Sequence, residues 1–284
     1  MSSFIAAGTT YTNLGVPMVP FYTFYSMFGF QRVGDSIWSA ADSRARGFLL
    51  GATAGRTTLA GEGLQHQDGH SLVLAANVPA CQAFDPAFAY EVGAIIEDGL
   101  TRMYGSDEPH GNEDVFYYVT LYNEAYEMPP RPDHVTAEDV VRGLYLWADA
   151  PDGAGSEGTS PDSTRARATL MFSGSAQGAA RAATAELSER WGVAVDLWSA
   201  TSYKRLREEA LAVERHNRLH PTAPVEVPLI TRLLAEGEGP VVAVTDFQKL
   251  LPGQVARWIP RPFHTLGTDG FGRSDTREAL RRFF

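Results

Sequence analysis

The stretch ATLMFSGSAQGAARAATAELSERWGVAVDLW, residues 168–198, decides the fold class of this chain. It begins with a short apolar run, 168–173, and continues into an alanine-rich segment, 176–191, whose length suits a helix. Gly192 ends that helix, and residues 193–198 form the next candidate strand. A strand, a helix and a strand of these lengths predict a right-handed crossover between parallel strands.

The same alternation extends in both directions from this unit. Residues 240–245 form a further apolar run, with helical segments before and after it. In the first half of the chain, residues 114–121 are the strongest strand prediction, and a helix is expected from Pro86, a favoured first helical residue, to Tyr104. Both halves therefore predict the α/β class with mainly parallel sheets.

A run of small, polar and turn-forming residues, 151–163, separates the two halves. The chain has 284 residues, which at roughly 150 per domain suggests two domains. We therefore expect a first domain over residues 1–150, a linker over 151–166 and a second domain over 167–284.

Composition and charge exclude several classes of function. Lys and Arg number 24 against 34 Asp and Glu, a net charge of −10, which argues against nucleic acid as the main partner. Cys81 is the only cysteine, and the N-terminus lacks a secretion-signal pattern, so we expect a reducing, cytoplasmic setting. The longest apolar stretch, Leu14 to Phe30, is interrupted by Gly and Pro and predicts no membrane span.

Residues 61–70 concentrate the polar chemistry, with two imidazoles, two carboxylates and three glycines in ten residues. Because glycine permits close backbone approach and histidine titrates near neutral pH, this segment suits proton transfer in a cleft. A surface loop with incidental histidines is the alternative. A metal site at His66 and His70 is disfavoured, because the glycines argue against a helix and a third ligand is missing nearby.

Two further segments could serve either a structural or a binding role. Residues 20–30 carry six aromatic side chains, which suit either ring stacking or, as composition favours, a buried core or subunit interface. The glycine-spaced loop 267–275 leads into a final helix, which Ser274 or Asp275 is expected to cap. Arg273 in that loop could instead hold a carboxylate or phosphate.

Several long motifs, in order, give the chain a family resemblance. It resembles the homodimeric bacterial pyruvate dehydrogenase E1 component, a thiamine diphosphate enzyme of the transketolase superfamily. The motifs are YSMFGFQR at 25–32, RTT at 56–58 with GEGLQHQDGH at 61–70, FDPAFAYEV at 84–92, His220-Pro221 and LGTDGFGRSD at 266–275.

The resemblance implies two three-layer domains, a transketolase-like pyrimidine-binding domain and a transketolase C-terminal-like domain, both truncated. The superfamily holds the cofactor diphosphate and its Mg²⁺ with a Gly-Asp-Gly motif that ends in paired asparagines, and neither occurs in this sequence. The Mg²⁺ ligands are therefore expected on a domain absent from this chain. The glutamate that activates the aminopyrimidine is expected upstream of the residue matching Ser2.

The resemblance also implies roles for three side chains. Phe28 matches the ring that stacks on the aminopyrimidine, Tyr25 an active-site tyrosine beside it, and His66 the histidine near the reacting carbon. His70 is either functional or a loop anchor. The loop 267–275 is expected to serve the structure of its domain or dimer contacts rather than the chemistry.

The implied activity is oxidative decarboxylation of pyruvate with transfer to the lipoyl domain of the dihydrolipoyl acetyltransferase. In this superfamily the site forms between two subunits, so the expected partner is a second copy or a chain that supplies the diphosphate domain. The chain itself is then a fragment or half-site. The alternatives are a noncatalytic dimerisation remnant and a subunit of another 2-oxo acid dehydrogenase or split enzyme. Truncated domains are also expected to expose apolar surface and sheet edges.

Overall fold

The computed structural model describes residues 1–106, 111–150 and 166–284. These residues form two sheets, one of four strands and one of five. The strands are β1 Phe21–Tyr25, β2 Gly47–Ala52, β3 Cys81–Phe84, β4 Phe116–Thr120, β5 Tyr145–Ala148, β6 Arg167–Phe172, β7 Ala194–Ser199, β8 Val241–Val244 and β9 Phe263–Leu266.

The first sheet is entirely parallel, in the order β1-β2-β4-β3. Every residue of β3 and β4 is buried, which is typical of parallel strands covered by helices on both faces. β1 instead lies at an edge and alternates between exposed and half-buried residues. The helices of this part are α1 Ser2–Gly8, α2 Thr10–Asn13, α3 Gly29–Asp42, α4 Ser71–Ala75, α5 Ala89–Tyr104 and α6 Ala137–Val141.

The second sheet has the order β5-β7-β6-β8-β9, and only β5 runs antiparallel to its neighbour. The α/β class with mainly parallel sheets is therefore confirmed. β6, α7, β7 and β8 lie where the sequence predicts them. The remaining helices are α7 Gln177–Trp191, α8 Tyr203–Leu219, α9 Leu229–Leu233, α10 Leu250–Gly253 and α11 Arg277–Phe283, with 3₁₀ turns at Ser26–Phe28, Gly174–Ala176 and Ala256–Trp258.

Two predicted helix starts are wrong by one to three residues. α5 begins at Ala89 rather than at Pro86, because Phe88 is extended and the Glu91 carboxylate accepts the backbone N–H groups of Ala87 and Phe88. α11 is capped by Thr276, whose hydroxyl accepts the N–H of Ala279, and not by Ser274 or Asp275. In both cases a side chain inside or just before the first turn fixes the boundary.

The strand β5 precedes the expected linker, yet it pairs with β7 of the second sheet. The expected linker 151–166 falls outside the described residues except for Ala166. The part of the chain before the linker therefore contributes one strand to the second sheet.

A large apolar cluster joins the two sheets. It includes Leu49 and Tyr118 of the first sheet and Met171 and Ala243 of the second, all fully buried. Burying each large apolar side chain contributes roughly 1.5–3 kcal/mol, so this shared core holds the sheets together. In the part of the chain that the structure describes, none of the helices has the length and apolar composition to cross a membrane.

Candidate functional site

The ends of two neighbouring strands build the candidate site. Tyr25 is the last residue of β1, and Phe28 closes the 3₁₀ turn that follows it. β2 pairs with β1 in parallel, and the chain leaves β2 into an irregular segment, residues 53–70, which we call the His66 loop. Because parallel strands end at the same edge of a sheet, this loop and the aromatic turn meet there.

Three aromatic rings form a contiguous face at this edge. The centroid of the His66 ring lies 5.4 Å from that of Tyr25 and 5.3 Å from that of Phe28, and the Tyr25 and Phe28 centroids are 5.9 Å apart. Tyr25 is 44% exposed and the His66 side chain 27%. The structure thus brings together the three predicted site residues, with ring surface open to solvent.

Glu62 orients the imidazole of His66. Its carboxylate oxygen Oε2 lies 3.0 Å from His66 Nδ1, and its backbone carbonyl oxygen lies 3.3 Å from the same nitrogen. Two acceptors at Nδ1 favour the tautomer that carries a proton there. The other ring nitrogen, Nε2, is then the one that can exchange a proton or a hydrogen bond with a bound molecule.

Arg32 is a neighbour of the aromatic face that the sequence reasoning missed. Its guanidinium carbon lies 3.9 Å from the centroid of the Phe28 ring, a cation–π contact that fixes the ring. The sequence does contain a signal for this contact. Phe28 and Arg32 are four residues apart at the start of α3, so their side chains share a helix face.

His70 does not join the three rings. Its Nε2 lies 2.6 Å from Gln31 Oε1. Asp68, which is fully buried, accepts the backbone N–H groups of His70 and Ser71 at 3.0 and 2.9 Å and so starts α4. These contacts favour an anchoring role for His70. Among the described residues, no group of three or more His, Cys, Asp or Glu side chains could hold a metal ion.

The segment 267–275, which follows β9, packs directly on the His66 loop. The N–H of Gly61 donates to the carbonyl of Asp275 at 3.0 Å, and the N–H of Arg273 donates to Gln67 Oε1 at 2.7 Å. The guanidinium of Arg273 lies over the Phe283 ring at 4.0 Å. The sequence reasoning gave this segment no contact with the loop that carries His66.

Two buried carboxylates lie where the two sheets meet. Asp85, which follows β3, accepts hydroxyl hydrogen bonds from Thr120 and Ser173, both at 2.6 Å, and from Tyr122. Burial raises the pKa of Asp85 to about 6, although these hydroxyl groups oppose the rise. Burial also raises the pKa of Asp246, which follows β8, against the opposing effect of backbone N–H donors.

A separate cleft of about 660 Å³ opens at the carboxyl ends of β6 and β8. Its lining includes Gln177, Lys249, Arg281 and Phe284, and it contains none of the three rings of the candidate site. The cleft is therefore a different place in the molecule from the aromatic face.

Sequence comparison divides the chain into two matches. Residues 1–129 match the pyruvate dehydrogenase E1 component middle domain, and residues 157–284 match the transketolase-like TK C-terminal domain. The chain is 51% identical to the pyruvate dehydrogenase E1 component of Mycolicibacterium smegmatis, over 100% of this chain and 29% of that protein. It is 44% identical to that of Escherichia coli K12, over 99% of this chain and 30% of that protein. The chain therefore spans less than a third of these relatives.

Solved structures show the same fold at low sequence identity. The transketolase of Campylobacter jejuni superposes with a TM-score of 0.65 at 18% identity, over 98% of this chain and 35% of that one. A split-gene transketolase described as an inactive beta4 tetramer superposes with a TM-score of 0.63 at 16% identity, over 99% of this chain and 76% of that one.

Proposed function

We infer that this chain, which belongs to the pyruvate dehydrogenase E1 component family, supplies the aminopyrimidine side of a thiamine diphosphate site. The activity of the complete site is oxidative decarboxylation of pyruvate, with transfer of the acetyl group to the lipoyl domain of the acetyltransferase. The observation that carries this proposal is the packing of Tyr25, Phe28 and His66 into one open aromatic face.

The residues at this face fit half of the cofactor. An aminopyrimidine is a flat heteroaromatic ring, and the Phe28 ring, steadied by Arg32, offers a stacking surface for it. The hydroxyl of Tyr25 and the imidazole of His66 add hydrogen-bonding groups beside that surface. In this proposal the diphosphate and its Mg²⁺ are held by a further domain, from a second copy or another chain.

Thiamine diphosphate supplies, when bound, the carbanion and electron-sink chemistry of the reaction. The residues of this chain bind and orient the cofactor ring and exclude water from one side. His66, with Nδ1 held by Glu62, presents Nε2 to stabilise negative charge that develops on the pyruvate carbonyl oxygen. Tyr25 and Phe28 keep the imidazole at its place.

In the same proposal, residues 1–150 form the pyrimidine-binding domain and residues 167–284 the C-terminal domain, joined by the linker 151–166. The two family matches, which end at residue 129 and begin at residue 157, support two domains, and β5 pairs with the second sheet across their division. A cytoplasmic setting is supported by the single buried cysteine, Cys81.

Pyruvate-dependent reduction of an artificial electron acceptor tests the activity. We expect no turnover from the folded chain with thiamine diphosphate and Mg²⁺, and turnover when a separately expressed diphosphate domain is added. That turnover should disappear in His66→Ala. Turnover by the chain alone would contradict the half-site proposal. Assembly with the diphosphate domain but no turnover would favour the noncatalytic alternative.

Cofactor binding tests the aromatic face without turnover. We expect Phe28→Ala to weaken thiamine diphosphate binding to the assembled pair at least about fivefold, because stacked aromatic contacts contribute of the order of 1 kcal/mol beyond buried area. Phe271→Ala is the matched control, since Phe271 is 79% exposed and lies in the segment 267–275. Equal affinities of both variants would contradict the assignment of Phe28.

A further inference from the structure

The conformation of the His66 loop is imposed largely by the second sheet. Residues 53–70 contain no helix or strand, yet residues 54–59 are buried. A buried irregular segment needs partners for its backbone N–H and C=O groups. Several of those partners come from residues that follow β8 and β9.

Asp246 gathers the first part of the loop around its carboxylate. It accepts the N–H of Arg56 at 2.9 Å, the N–H of Thr57 at 3.0 Å and the N–H of Thr58 at 3.4 Å. The hydroxyl of Thr58 donates to it at 3.2 Å. Three consecutive N–H groups that converge on one buried anion fix the direction of the backbone there.

Gly55 allows the chain to turn around this carboxylate. Its φ is +81°, in the left-handed region, and a Cβ at this position would collide with Asp246 Oδ2. The local geometry of the His66 loop is therefore matched to a side chain that follows β8.

Gln67 fastens the other end of the loop, next to His66. Its buried amide donates to the carbonyl of Leu59 at 2.9 Å and accepts the N–H of Arg273 at 2.7 Å. Gly272 approaches closely, since a Cβ there would lie 2.6 Å from Gln67 Oε1. One side chain thus joins two parts of the His66 loop to the segment 267–275.

His66 itself has no direct hydrogen bond to the second sheet among the described contacts. Its side chain is 27% exposed, and its backbone N–H bonds only within the loop, to Gly63 at 3.2 Å. Gly61 before it and Gln67 after it are bonded to the segment 267–275.

We propose that Asp246 and Gln67 are positioning residues of the second sheet's interface, which hold the His66 ring against Tyr25 and Phe28. This proposal rests on the proposed function, because it assigns a purpose to the position of His66. In this proposal, residues that follow the strands of the second sheet position His66, although none of them belongs to the aromatic face.

Side-chain NMR of His66 in the full chain, without cofactor, tests the proposal. In Asp246→Asn, an amide group replaces one acceptor oxygen and faces the backbone N–H donors. In Gln67→Met, a side chain of similar length loses both hydrogen bonds. We expect both variants to remove the ring-current displacement of the His66 signals that Tyr25 and Phe28 cause. We also expect amide exchange in the loop to accelerate at least about tenfold.

Asp85→Asn is the matched control, because Asp85 is a buried carboxylate at the same interface whose partners lie outside the His66 loop. Its His66 signals and loop exchange should equal those of the wild type. If Asp246→Asn does not fold, Gln67→Met carries the test, since it keeps the buried volume. Unchanged His66 signals in the folded variants, or equal changes in Asp85→Asn, would overturn the proposal.

Failure of the proposed function gives a different pattern. Displaced His66 signals in the two variants, without turnover from the wild-type chain and a diphosphate domain, would remove the function and keep the positioning role. Turnover from the wild-type chain and a diphosphate domain, together with unchanged His66 signals in both variants, would keep the proposed function and remove the positioning role.

Discussion

Asp85 and Asp246 are buried carboxylates at the same interface, but their partners differ in kind. Asp85 is surrounded by the hydroxyl groups of Thr120, Tyr122 and Ser173, which can rotate to donate or accept. Asp246 is held by the backbone N–H groups of residues 56–58, which can only donate. Neutralising the first carboxylate therefore leaves a network that can rearrange, whereas neutralising the second leaves donors without an acceptor.

The largest expected effect is a difference in the free energy of unfolding between variants of the two carboxylates. We expect Asp246→Asn to lower the free energy of unfolding by about 3 kcal/mol at pH 7, because buried donors left unsatisfied cost roughly 1–3 kcal/mol each. Asp85→Asn should change it by less than about 1 kcal/mol, since the hydroxyl groups can accept from the new amide. Urea unfolding of both variants measures the difference, and equal losses would show that the two carboxylates do not differ in this way.

The next effect is a pH dependence that belongs to Asp85. The pKa of Asp85 is raised from an ordinary value near 4 to about 6 in the folded chain, so the folded state binds the proton more tightly. Protonation of Asp85 therefore stabilises the folded chain. This stabilisation is complete below the pKa of the unfolded chain and is lost as the pH rises through about 6. Relative to Asp85→Asn, the wild type should gain about 2 kcal/mol between pH 7 and pH 4.5.

Unfolding free energies of the pair at both pH values check this prediction. A constant difference between them would show that Asp85 has an ordinary pKa in the folded chain.

A smaller effect tests the contact between Gln67 and the segment 267–275. Gly272→Ala should destabilise the chain by about 1–2 kcal/mol, because the new methyl group meets the Gln67 side chain and a close-packed contact has to shift. Gly178→Ala in α7 is the control, since nothing lies within 4 Å of a Cβ there and the helix should gain up to about 1 kcal/mol. Thermal unfolding of both variants should therefore move in opposite directions.

The smallest effect concerns Cys81 in β3, shortly before Asp85. The thiol is fully buried, and burial raises its pKa to about 12, so labelling by a thiol reagent has to wait for an opening of the sheet. We expect Asp85→Asn to accelerate labelling a few-fold more than Asp246→Asn does at equal stability. Equal acceleration would mean that β3 opens only together with the whole molecule.

The sequence predicted the elements whose signal is local. Apolar runs with flanking glycines located β6, α7, β7 and β8, because strand and helix periods are readable over ten or twenty residues. The start of α5 was misplaced because Glu91, three residues after Phe88, decides the boundary rather than Pro86. Such a choice depends on a side-chain contact and not on a period.

The candidate site was predictable only in part. Tyr25, Phe28 and His66 came from a family resemblance, and the structure shows that their rings are in contact. The contacts of Asp246 and Gln67 span about two hundred residues of sequence, and no local pattern marks their partners. The available signal was a polar residue shortly after an apolar strand, since Asp246 is the second residue after β8.

The long sequence separation of those contacts has a consequence for biosynthesis. The N–H groups of Arg56 and Thr57 donate to the carboxylate of Asp246, which follows them by 190 and 189 residues. This carboxylate is therefore absent when the two residues are synthesised. At roughly 5–20 residues per second, a ribosome needs about 10–40 s to add that length of chain. The part of the loop that carries His66 therefore emerges early but acquires its final shape late, after β8 and the segment beyond β9 have left the exit tunnel. Until then, nascent chains expose an incompletely bonded loop, and this is the interval in which a chaperone that recognises unpaired backbone would act.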